Sequence, residues 1–404
     1  MQSELKVETL DTLTESVQHA ELKVETLNSL SEFVQYAQQW NRLWDSSEAY
    51  EATSRSEAIA LWVRTFEPSG DFRAVVVKSA AGEFVGGIAL MVRSSRGLKK
   101  LTLIGNEWIN CGELMISGEV DSQEVTRKII DQLKREGDLL EFDHIQFDAP
   151  RWRAFSSCLT EAKQGLEISR IQRVGMIDIG DDWDGYFQCL SGNHRSAVRR
   201  SEKKIRKNGD VQLFRLLNPE DEVLCDWMNK AFEIEHKSWK GANGTSILAA
   251  QMDDYFIQEA KNARDCGMLE LWFLLLDDQP IAFEYCHLVK GNCHSYKIGY
   301  DEGFKSFGPG RQLRKMQLEY LTGNDVEPTT FALDTMGLLC PTKAKWVTRD
   351  YRISRMTASL SFKGGLFVRG KQCLRKIKNR IRPQHDEQSD IKLGGASFLD
   401  VHKS

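Results

Sequence analysis

The chain has 404 residues, of which 41% are hydrophobic, so it is long enough to build two domains with ordinary cores. A net charge of −4 and a pI near 6.1 argue against a general nucleic-acid-binding protein. Nine cysteines without a C-x-x-C motif favour reduced thiols over disulfides or zinc, and we expect no bound metal. The N-terminus lacks a signal-peptide pattern and no segment approaches about 18 uninterrupted apolar residues, which predicts a soluble, cytoplasmic protein.

The N-terminal segment contains a local duplication. Residues 4–20 (ELKVETLDTLTESVQHA) recur almost unchanged as residues 21–37, and each copy carries a capping box, which in the second copy is Ser29-x-x-Glu32. One pair of copies does not make a solenoid, because stacked repeats need about three units to bury a core. We interpret the second copy as the first strand and helix of an N-terminal lobe, and residues 1–20 as a dispensable extension.

The rest of this lobe, which we extend to residue 179, has a mixed α/β pattern. Apolar runs predict strands, of which the first three are joined by short turns and are expected to be antiparallel. The predicted strands are 72–79, 83–92, 100–105, 113–116, 144–149 and 168–179. Helices are predicted as far as Trp44, over 122–135 and from Trp152. We therefore expect a first lobe over residues 21–179.

Residues 180–362 repeat much of this order and predict a second, related lobe. The predicted strands are 211–217, 269–276, 281–289, 293–300, 330–334 and 351–360. The predicted helices are 194–207, 219–238, 249–264, 310–322 and 342–347. Antiparallel hairpins followed by a helical crossover predict a mixed, twisted sheet with helices on both faces.

The segment 363–404 begins with a basic stretch. Residues 363–382 contain eight Lys or Arg residues and no acid, with Leu374, Ile377 and Ile381 at helical spacing. Both docking on the protein itself and contact with a membrane surface fit this pattern. The residues after Pro383 are interpreted as a mobile terminus.

A strand that leads into a helix through glycines is the most informative local feature. The strand at 293–300 is followed by a loop that ends in Gly308-Pro309-Gly310 and by the helix 310–322. Glycines allow the backbone to approach a ligand closely, and the free N–H groups at the start of a helix can bind an anion. The same tripeptide also fits an ordinary loop with proline in the first helical position.

Two carboxylates are candidates for a general base. Asp334 ends a strand beside the glycine segment and could deprotonate an attacking amine, although it could equally cap the next turn. Glu284 lies in an apolar strand, where an ionised carboxylate is costly unless it is paired or functional. A structural ion pair remains the alternative for Glu284.

Other polar and aromatic residues near this segment are further candidates. His294 and Tyr296 share one strand face and could exchange a proton with a leaving thiolate, or could be hydrogen-bonded core residues. Four residues are candidates for acceptor or phosphate contacts, with helix capping and core packing as alternatives: Trp239, Lys240, Lys343 and Trp346. The basic helix 194–207 is either a solvated face or a binding surface for an anionic acceptor.

Several patches together resemble the GNAT acyltransferase superfamily. The resemblance is to the branch of CelD-like proteins of cellulose and exopolysaccharide biosynthesis, and the tandem lobes also resemble Fem peptidoglycan aminoacyltransferases. The patches are NHRSAVRR (193–200), EHKSWKG (235–241), QPIA (279–282), GYDEGFKSFGPGRQL (299–313) and LDTMGLLCPTKAKWVTRDYR (333–352). They span residues 180–360, and the lobe at 38–175 matches in layout only.

The resemblance implies transfer of an acyl group from acyl-coenzyme A by direct attack in a ternary complex. It implies that strand 293–300 separates from strand 330–334 to admit pantetheine, and that pyrophosphate binds at Gly308 and Gly310, with Arg311 and Gln312 in the first helical turn. The usual GNAT loop has Gln or Arg, two residues, and then Gly-x-Gly or Gly-x-Ala. Because the loop after Tyr300 is longer, an aminoacyl-tRNA donor remains open.

We therefore predict a GNAT-family N-acyltransferase that modifies an amino or hydroxyl group of a sugar or polysaccharide precursor, with acetyl-CoA or another acyl-CoA as co-substrate. Nucleic acid is expected as a partner only in the alternative, an aminoacyl-tRNA-dependent transferase of the Fem kind. A non-catalytic scaffold in exopolysaccharide assembly is a further alternative, because a fold alone does not imply activity. The acyl chain, the acceptor and the oligomeric state are left open.

Overall fold

A computed structural model describes residues 22–322, 328–333 and 339–381. The predicted N-terminal extension and the segment after Pro383 lie outside these residues. The strands are β1 (Lys23–Leu27), β2 (Asp71–Lys78), β3 (Phe84–Ser95), β4 (Leu98–Leu103), β5 (Leu114–Ile116), β6 (Leu139–Ile145), β7 (Leu166–Asp178), β8 (Val211–Leu217), β9 (Leu269–Leu276), β10 (Gln279–Val289), β11 (Asn292–Tyr300), β12 (Thr330–Leu333) and β13 (Arg349–Ser359).

Twelve α-helices accompany these strands in the described residues. They are α1 (Leu30–Gln35), α2 (Ala37–Ser46), α3 (Ser56–Phe66), α4 (Ser122–Glu136), α5 (Pro150–Glu161), α6 (Trp183–Cys189), α7 (Gly192–Arg206), α8 (Asp221–His236), α9 (Trp239–Ala242), α10 (Asp253–Asp265), α11 (Pro309–Thr322) and α12 (Phe362–Ile381). Short 3₁₀ turns occupy Ala52–Ser54, Glu302–Phe307 and Lys343–Lys345. None of the helices in these ranges has the length and apolar character that a bilayer crossing requires.

Most predicted elements are present, and the exceptions have local causes. The strand predicted at 144–149 is instead β6, because the buried side chains belong to Leu139, Leu140 and Phe142, and residues after Ile145 turn toward Pro150 at the start of α5. The helices α3 and α6 were not predicted. The capping box of the second copy is confirmed, since Ser29 Oγ accepts a hydrogen bond from the Glu32 N–H at 3.1 Å.

The described strands form one continuous mixed sheet, which confirms the predicted fold class. Its order is β1-β2-β3-β4-β6-β13-β7-β12-β11-β10-β9-β8, with β5 paired to β3. The two halves of this order have the same layout, since β8 to β11 correspond to β1 to β4, and β12 corresponds to β6. Each half is therefore one lobe of a tandem arrangement.

The lobes exchange their last strands. β13 is the last strand of the chain, yet it pairs antiparallel with β6 of the N-terminal lobe. β7 precedes the C-terminal lobe in sequence, yet it pairs antiparallel with β12 of that lobe. β7 and β13 also pair with each other and join the two half-sheets. Each lobe is therefore completed by a strand from the other half of the chain, and the predicted division at residue 180 stays a prediction.

Helices cover both faces of the sheet and enclose three hydrophobic clusters. One cluster lies under α4 and α5, and another under α6, α7 and α11. The largest cluster combines α1 to α3 of the N-terminal lobe with α8 and α10 of the C-terminal lobe. The rings of Phe66 and Tyr255 meet across this boundary with centroids 5.1 Å apart. The apolar core is thus shared between the lobes, which fixes their relative position.

Candidate active site between the lobes

Each lobe contains one short parallel ladder at the corresponding place in its half of the sheet. In the N-terminal lobe, β4 and β6 pair in parallel over Lys100–Thr102 and Leu139–Glu141. In the C-terminal lobe, β11 and β12 pair in parallel over Asn292–His294 and Thr330–Ala332. The described part of β12 ends at Leu333, so the separation implied for strands 293–300 and 330–334 stays a prediction.

A cleft with a volume of about 350 Å³ lies beside β4 and β6. This volume is within the range of small-molecule sites. Its lining is mostly polar and includes Thr102, Asn106, Asn110, Asp143, Gln172 and Arg355. The Oγ atom of Ser354, another lining residue, is buried and has no hydrogen-bond partner within the described residues. The cleft therefore offers unsatisfied hydrogen-bonding capacity to a polar ligand.

A smaller cavity of about 40 Å³ adjoins this cleft and reaches the C-terminal lobe. The two spaces share the lining residues Asn110, His144 and Ile353. From the other side, the cavity is lined by His287, His294 and Tyr296 of β10 and β11, and by the loop that follows α2. Asn110, His144 and Ile353 therefore lie between the polar cleft and the cavity that His294 and Tyr296 line.

The register of β10 and β11 brings these aromatic residues together. His287 is paired directly with His294 across the two strands. The ladder then shifts, because Cys286 pairs with Ser295 and Tyr285 pairs with Lys297, which leaves Tyr296 as the extra residue of a β-bulge. The bulge lies two residues after His294, the last residue of β11 that pairs with β12.

A buried carboxylate from α10 orients the histidine of β10. Glu259 Oε1 lies 2.9 Å from Nε2 of His287, and the Tyr285 hydroxyl donates a hydrogen bond to Glu259 Oε2. The same hydroxyl oxygen is 3.1 Å from His287 Nε2. The carboxylate thereby fixes the ring of His287, an arrangement that can stabilise an imidazolium.

Two polar atoms at the centre of the cavity have no partner within the described residues. They are His294 Nε2 and the Tyr296 hydroxyl. Burial, and secondarily the charge of His287, lowers the pKa of His294 to about 3, so its ring is neutral at pH 7. Burial is the main cause that raises the pKa of Tyr296, which keeps its hydroxyl proton available. An imidazole nitrogen and a phenol hydroxyl without partners therefore belong to residues that line this cavity.

The loop after α2 supplies the opposite wall of the cavity. Tyr50 stacks on His294, with ring centroids 4.8 Å apart and an interplanar angle of 7°. The loop is held by Lys290 of the β10–β11 turn, whose Nζ donates to the carbonyl oxygens of Trp44, Ser47 and Ala49 at 2.7–2.8 Å. A cation from one lobe thus positions the loop of the other against His294.

Glu51, next to Tyr50, is the carboxylate with the most altered acidity in this region. Burial, reinforced by the charge of Glu113 and opposed by Arg151, raises its pKa from 4.5 to about 7. Its Oε2 atom is buried and has no hydrogen-bond partner within the described residues. A carboxyl group that titrates near pH 7 in a ligand cavity is suited to general acid–base chemistry.

The glycine segment lies at the start of α11, beside Tyr300 at the end of β11. Gly308 has φ +66°, and a Cβ atom there would lie 2.7 Å from Ser201 Oγ of α7, so only glycine fits. A Cβ atom at Gly310 would have Tyr300 Cδ1, at 3.7 Å, as its nearest neighbour. The N–H of Gly310 has no partner within the described residues, whereas those of the next two residues both bond to Gly308 O.

The two predicted phosphate-binding side chains, Arg311 and Gln312, point to α7. Arg311 Nη1 donates to Ala197 O at 3.4 Å, and Gln312 Nε2 donates to Val198 O at 3.1 Å. Gln312 is buried, so its amide contributes to packing. Lys204 adds positive charge nearby, since its Nζ reaches Ser306 O in the same loop, whereas Lys305 is paired with Glu302 at 3.0 Å. The segment retains one free amide in a basic setting, which fits an anion.

Glu284 lies away from the cavity, on the face of the sheet that α11 covers. Both of its oxygens accept hydrogen bonds from Arg314 Nη2, at 2.5 and 2.8 Å. The guanidinium carbon of Arg314 also lies 4.1 Å from the ring centroid of Phe331. The carboxylate is thus satisfied by a buried ion pair. Its catalytic role stays a prediction, and the structure supplies the structural alternative.

The remaining predicted residues are not gathered at the cavity. Trp239 is 56% exposed, while Lys240 Nζ bonds to Glu235 Oε1 at 2.6 Å and to Ile298 O at 3.0 Å. Trp346 is 4% exposed and packs in the core, edge-on to His194 with centroids 4.5 Å apart. Lys343 begins a 3₁₀ turn in the same region. Asp334 lies outside the described residues.

Of the predicted site residues, His294 and Tyr296 line the cavity together. Among the cavity residues that were not predicted are Tyr50, Glu51, His287 and Tyr351, and Glu259, also not predicted, contacts His287 from α10. A signal existed for His287, since it follows Tyr285 at the two-residue spacing of one strand face. No local pattern marks Glu51 or Glu259, because each meets the strands from a distant part of the chain.

The described residues form a mixed α/β protein in which two lobes of the same layout share one sheet. Residues 192–328 match the family model of the acetyltransferase (GNAT) domain. No curated protein sequence gives a significant match. The predicted CelD-like branch therefore stays a prediction.

Three solved structures are similar in fold. FemX shares 12% identity with a TM-score of 0.53, over 89% of this chain and 100% of that chain. A conserved protein of unknown function from Bacteroides thetaiotaomicron shares 10% identity with a TM-score of 0.51, over 83% of this chain and 100% of that chain. L-PGS from Bacillus licheniformis shares 10% identity with a TM-score of 0.50, over 85% of this chain and 96% of that chain. At these identities the likeness concerns the fold.

Proposed function

We propose that the protein transfers an acyl group from acyl-CoA to an amino or hydroxyl group, and that the reaction takes place where β11 separates from β12. The observation that carries this proposal is the succession of three features along the chain: the parallel ladder of β11 with β12 ends at His294, the β-bulge follows at Tyr296, and the glycine-led start of α11 comes after the end of β11. Strand separation exposes backbone that can polarise a thioester carbonyl.

The acceptor enters through the cleft of the N-terminal lobe in this proposal. The carboxylate, amide and guanidinium groups of its lining support a hydroxyl-rich acceptor such as a sugar or polysaccharide precursor. The neutral ring of His294 accepts a hydrogen bond from the nucleophile, and the Tyr296 hydroxyl donates one to the oxygen or sulfur on which charge develops. Much of the rate acceleration would come from holding thioester and nucleophile together.

The donor is tested by thermal unfolding with coenzyme A, acetyl-CoA and longer acyl-CoAs. A ligand that binds only the folded protein stabilises it by about 2.7 kcal/mol at 100 times its Kd. We expect stabilisation that Gly310→Asp removes, because the new carboxylate repels pyrophosphate while favouring the helix start. Gly365→Asp is the matched control, since no atom lies within 4 Å of a Cβ at that glycine. An equal shift in Gly310→Asp, or no shift at millimolar ligand, would reject the proposal.

An aminoacyl-tRNA-dependent transfer is a second candidate, favoured by the charge of α7. The exposed side of this helix includes Arg199, Arg200, Lys203, Arg206 and Lys207. Such a surface binds a phosphate backbone, and its affinity falls steeply with salt. Salt-dependent tRNA binding that Lys203→Gln/Lys207→Gln weakens, without stabilisation by acyl-CoA, supports this candidate. If neither ligand binds, the non-catalytic scaffold is favoured.

A further inference from the structure

The helix α12 presents apolar side chains to solvent. Phe362, Leu366 and Leu374 are 81%, 56% and 69% exposed. Phe362 and Leu366 are one helical turn apart and lie on the same side. A surface helix normally turns its apolar stripe toward the core, so this exposed face needs another explanation.

The opposite side of α12 is fixed to the sheet, so the helix cannot rotate to bury these residues. Val368 is fully buried, and a Cβ atom at Gly364 would lie 2.0 Å from Asp138 O. Lys371 Nζ donates to Thr357 Oγ1 and Gln372 Nε2 donates to Leu166 O, both at 3.1 Å. These contacts set the outward direction of the apolar side chains.

A groove with a volume of about 310 Å³ runs beside this face. Its lining combines the exposed residues Phe362 and Leu366 with two cations, Lys163 and Arg369, and with the polar group of Ser361. Neither cation forms an ion pair with another residue of the described ranges. Apolar side chains next to unpaired cations suit a ligand that has both a hydrocarbon part and an anionic group.

All charged residues of the segment 363–382 are basic. Residues 363–382 contain eight Lys or Arg residues and no acid. The acidic side chains nearby contact other residues. Asp138 accepts a hydrogen bond from Ser361 Oγ at 2.6 Å, Glu161 lies 3.7 Å from Arg127, and Glu167 pairs with Arg375 at 3.1 Å. The sequence of this segment is therefore strongly basic, while the whole chain has a net charge of −4.

We propose that α12 and its groove form a docking surface for a bilayer that contains anionic phospholipid. Phe362, Leu366 and Leu374 would enter the headgroup region, and Lys163, Lys363 and Arg369 would meet the lipid phosphates. Each cation near an anionic bilayer strengthens binding, and apolar insertion adds to this. The surface is independent of the acyl-transfer site proposed above.

Cosedimentation with vesicles tests this proposal on the full chain. Binding is measured on phosphatidylcholine vesicles with and without phosphatidylglycerol, at low and high salt. We expect binding that requires phosphatidylglycerol and weakens with salt. Phe362→Ser/Leu366→Ser and Lys163→Gln/Arg369→Gln should each weaken it by on the order of tenfold or more.

Matched controls separate this surface from other exposed groups. Leu217→Ser/Val223→Ser removes exposed apolar side chains elsewhere, and Lys203→Gln/Lys207→Gln removes cations of α7. Both controls should bind as the unmodified protein does. Absence of binding, equal binding of all variants, or equal binding to vesicles without phosphatidylglycerol would overturn the proposal. So would a dimer in sedimentation velocity that Phe362→Ser/Leu366→Ser dissociates, since a second copy would then cover this face.

Discussion

Glu284 and Arg314 form an ion pair in the core of the C-terminal lobe, where each charge offsets the free-energy cost of burying the other. Glu284 lies on β10, and Arg314 reaches it from α11, which covers that face of the sheet. Both side chains are buried. A charge in such a place is costly without its partner, whereas the paired charges cost little more than apolar residues.

Arg314→Met should therefore lower the free energy of unfolding by about 3–5 kcal/mol, because it leaves the Glu284 carboxylate buried and unpaired. Glu284→Gln/Arg314→Met should restore much of this loss. Urea denaturation of the two variants and the unmodified protein measures the difference. A double variant as unstable as Arg314→Met would contradict the ion-pair interpretation.

The raised pKa of Glu51 makes the free energy of unfolding decrease as pH rises. Its pKa is raised from 4.5 to about 7, chiefly by burial, so the folded state keeps a proton that the unfolded state releases. The stabilisation is complete below pH 4.5 and is lost as pH rises toward 7. Glu51→Gln should therefore gain stability relative to the unmodified protein across this window, by on the order of 2 kcal/mol.

Denaturant unfolding of both proteins at intervals through this window measures the effect. His194 and His294, whose pKa values are lowered to about 4 and about 3, contribute equally to both proteins and cancel. Glu83→Gln, at an exposed carboxylate, serves as the control. Parallel pH profiles for Glu51→Gln and the unmodified protein would show that this carboxyl group is not perturbed.

At the scale of elements, β13 is the strand on which the continuity of the sheet depends, because it lies between β6 and β7. Its removal would leave one edge of each of these strands unpaired. Unpaired edges are templates for aggregation. A chain that ends at residue 348 should therefore be insoluble or unfolded. A chain that ends at residue 381 should fold as the full chain does, since β13 and α12 are retained.

A third chain that ends at residue 360 separates the effects of β13 and α12, because it keeps the strand and loses the helix. We expect it to be folded but less stable, since Val368 and Gly364 no longer cover the sheet. Circular dichroism and gel filtration distinguish the three lengths. A folded, monomeric chain that ends at residue 348 would contradict the importance of the exchanged strand.

At the scale of the whole molecule, the exchange and the shared core join the lobes into one structure. Fragments 22–179 and 180–381 should each fail to fold alone, because each carries a terminal strand that belongs to the other lobe. Mixed during refolding, they should assemble into a complex with native-like circular dichroism. The measurement is refolding of each fragment and of the mixture, and independent folding of either fragment would be the contrary result.

The sequence was sufficient for the elements that depend on local pattern. The strands at β2, β3 and β8 to β12 follow from apolar runs between turn residues, and the start of α11 follows from its glycines. The same patterns predicted two related lobes and a mixed sheet. They placed β6 too late, because a polar HIQFDA run resembled a strand as closely as the buried LLEF before it.

The site was only partly predictable, since most of its contacts join residues that are distant in the chain. His294 and Tyr296 could be placed on one strand face, but Tyr50 reaches them from the other lobe, and Glu259 reaches His287 from a helix. Likewise, the local sequence around Glu284 does not show whether this side chain faces solvent, forms an ion pair in the core or acts in catalysis. The packing of α11 against the sheet decides that its partner is Arg314.

What the sequence determined by itself is therefore the set of elements, their order in each lobe and the glycine-led start of α11, because periodicity and turn chemistry act over a few neighbouring residues. What only the tertiary structure decided is the exchange of β7 and β13, the pairing of Glu284 with Arg314, and the cavity that joins Tyr50 and Glu51 to His294. These features depend on which surfaces bury one another, and that choice is made by packing the whole chain.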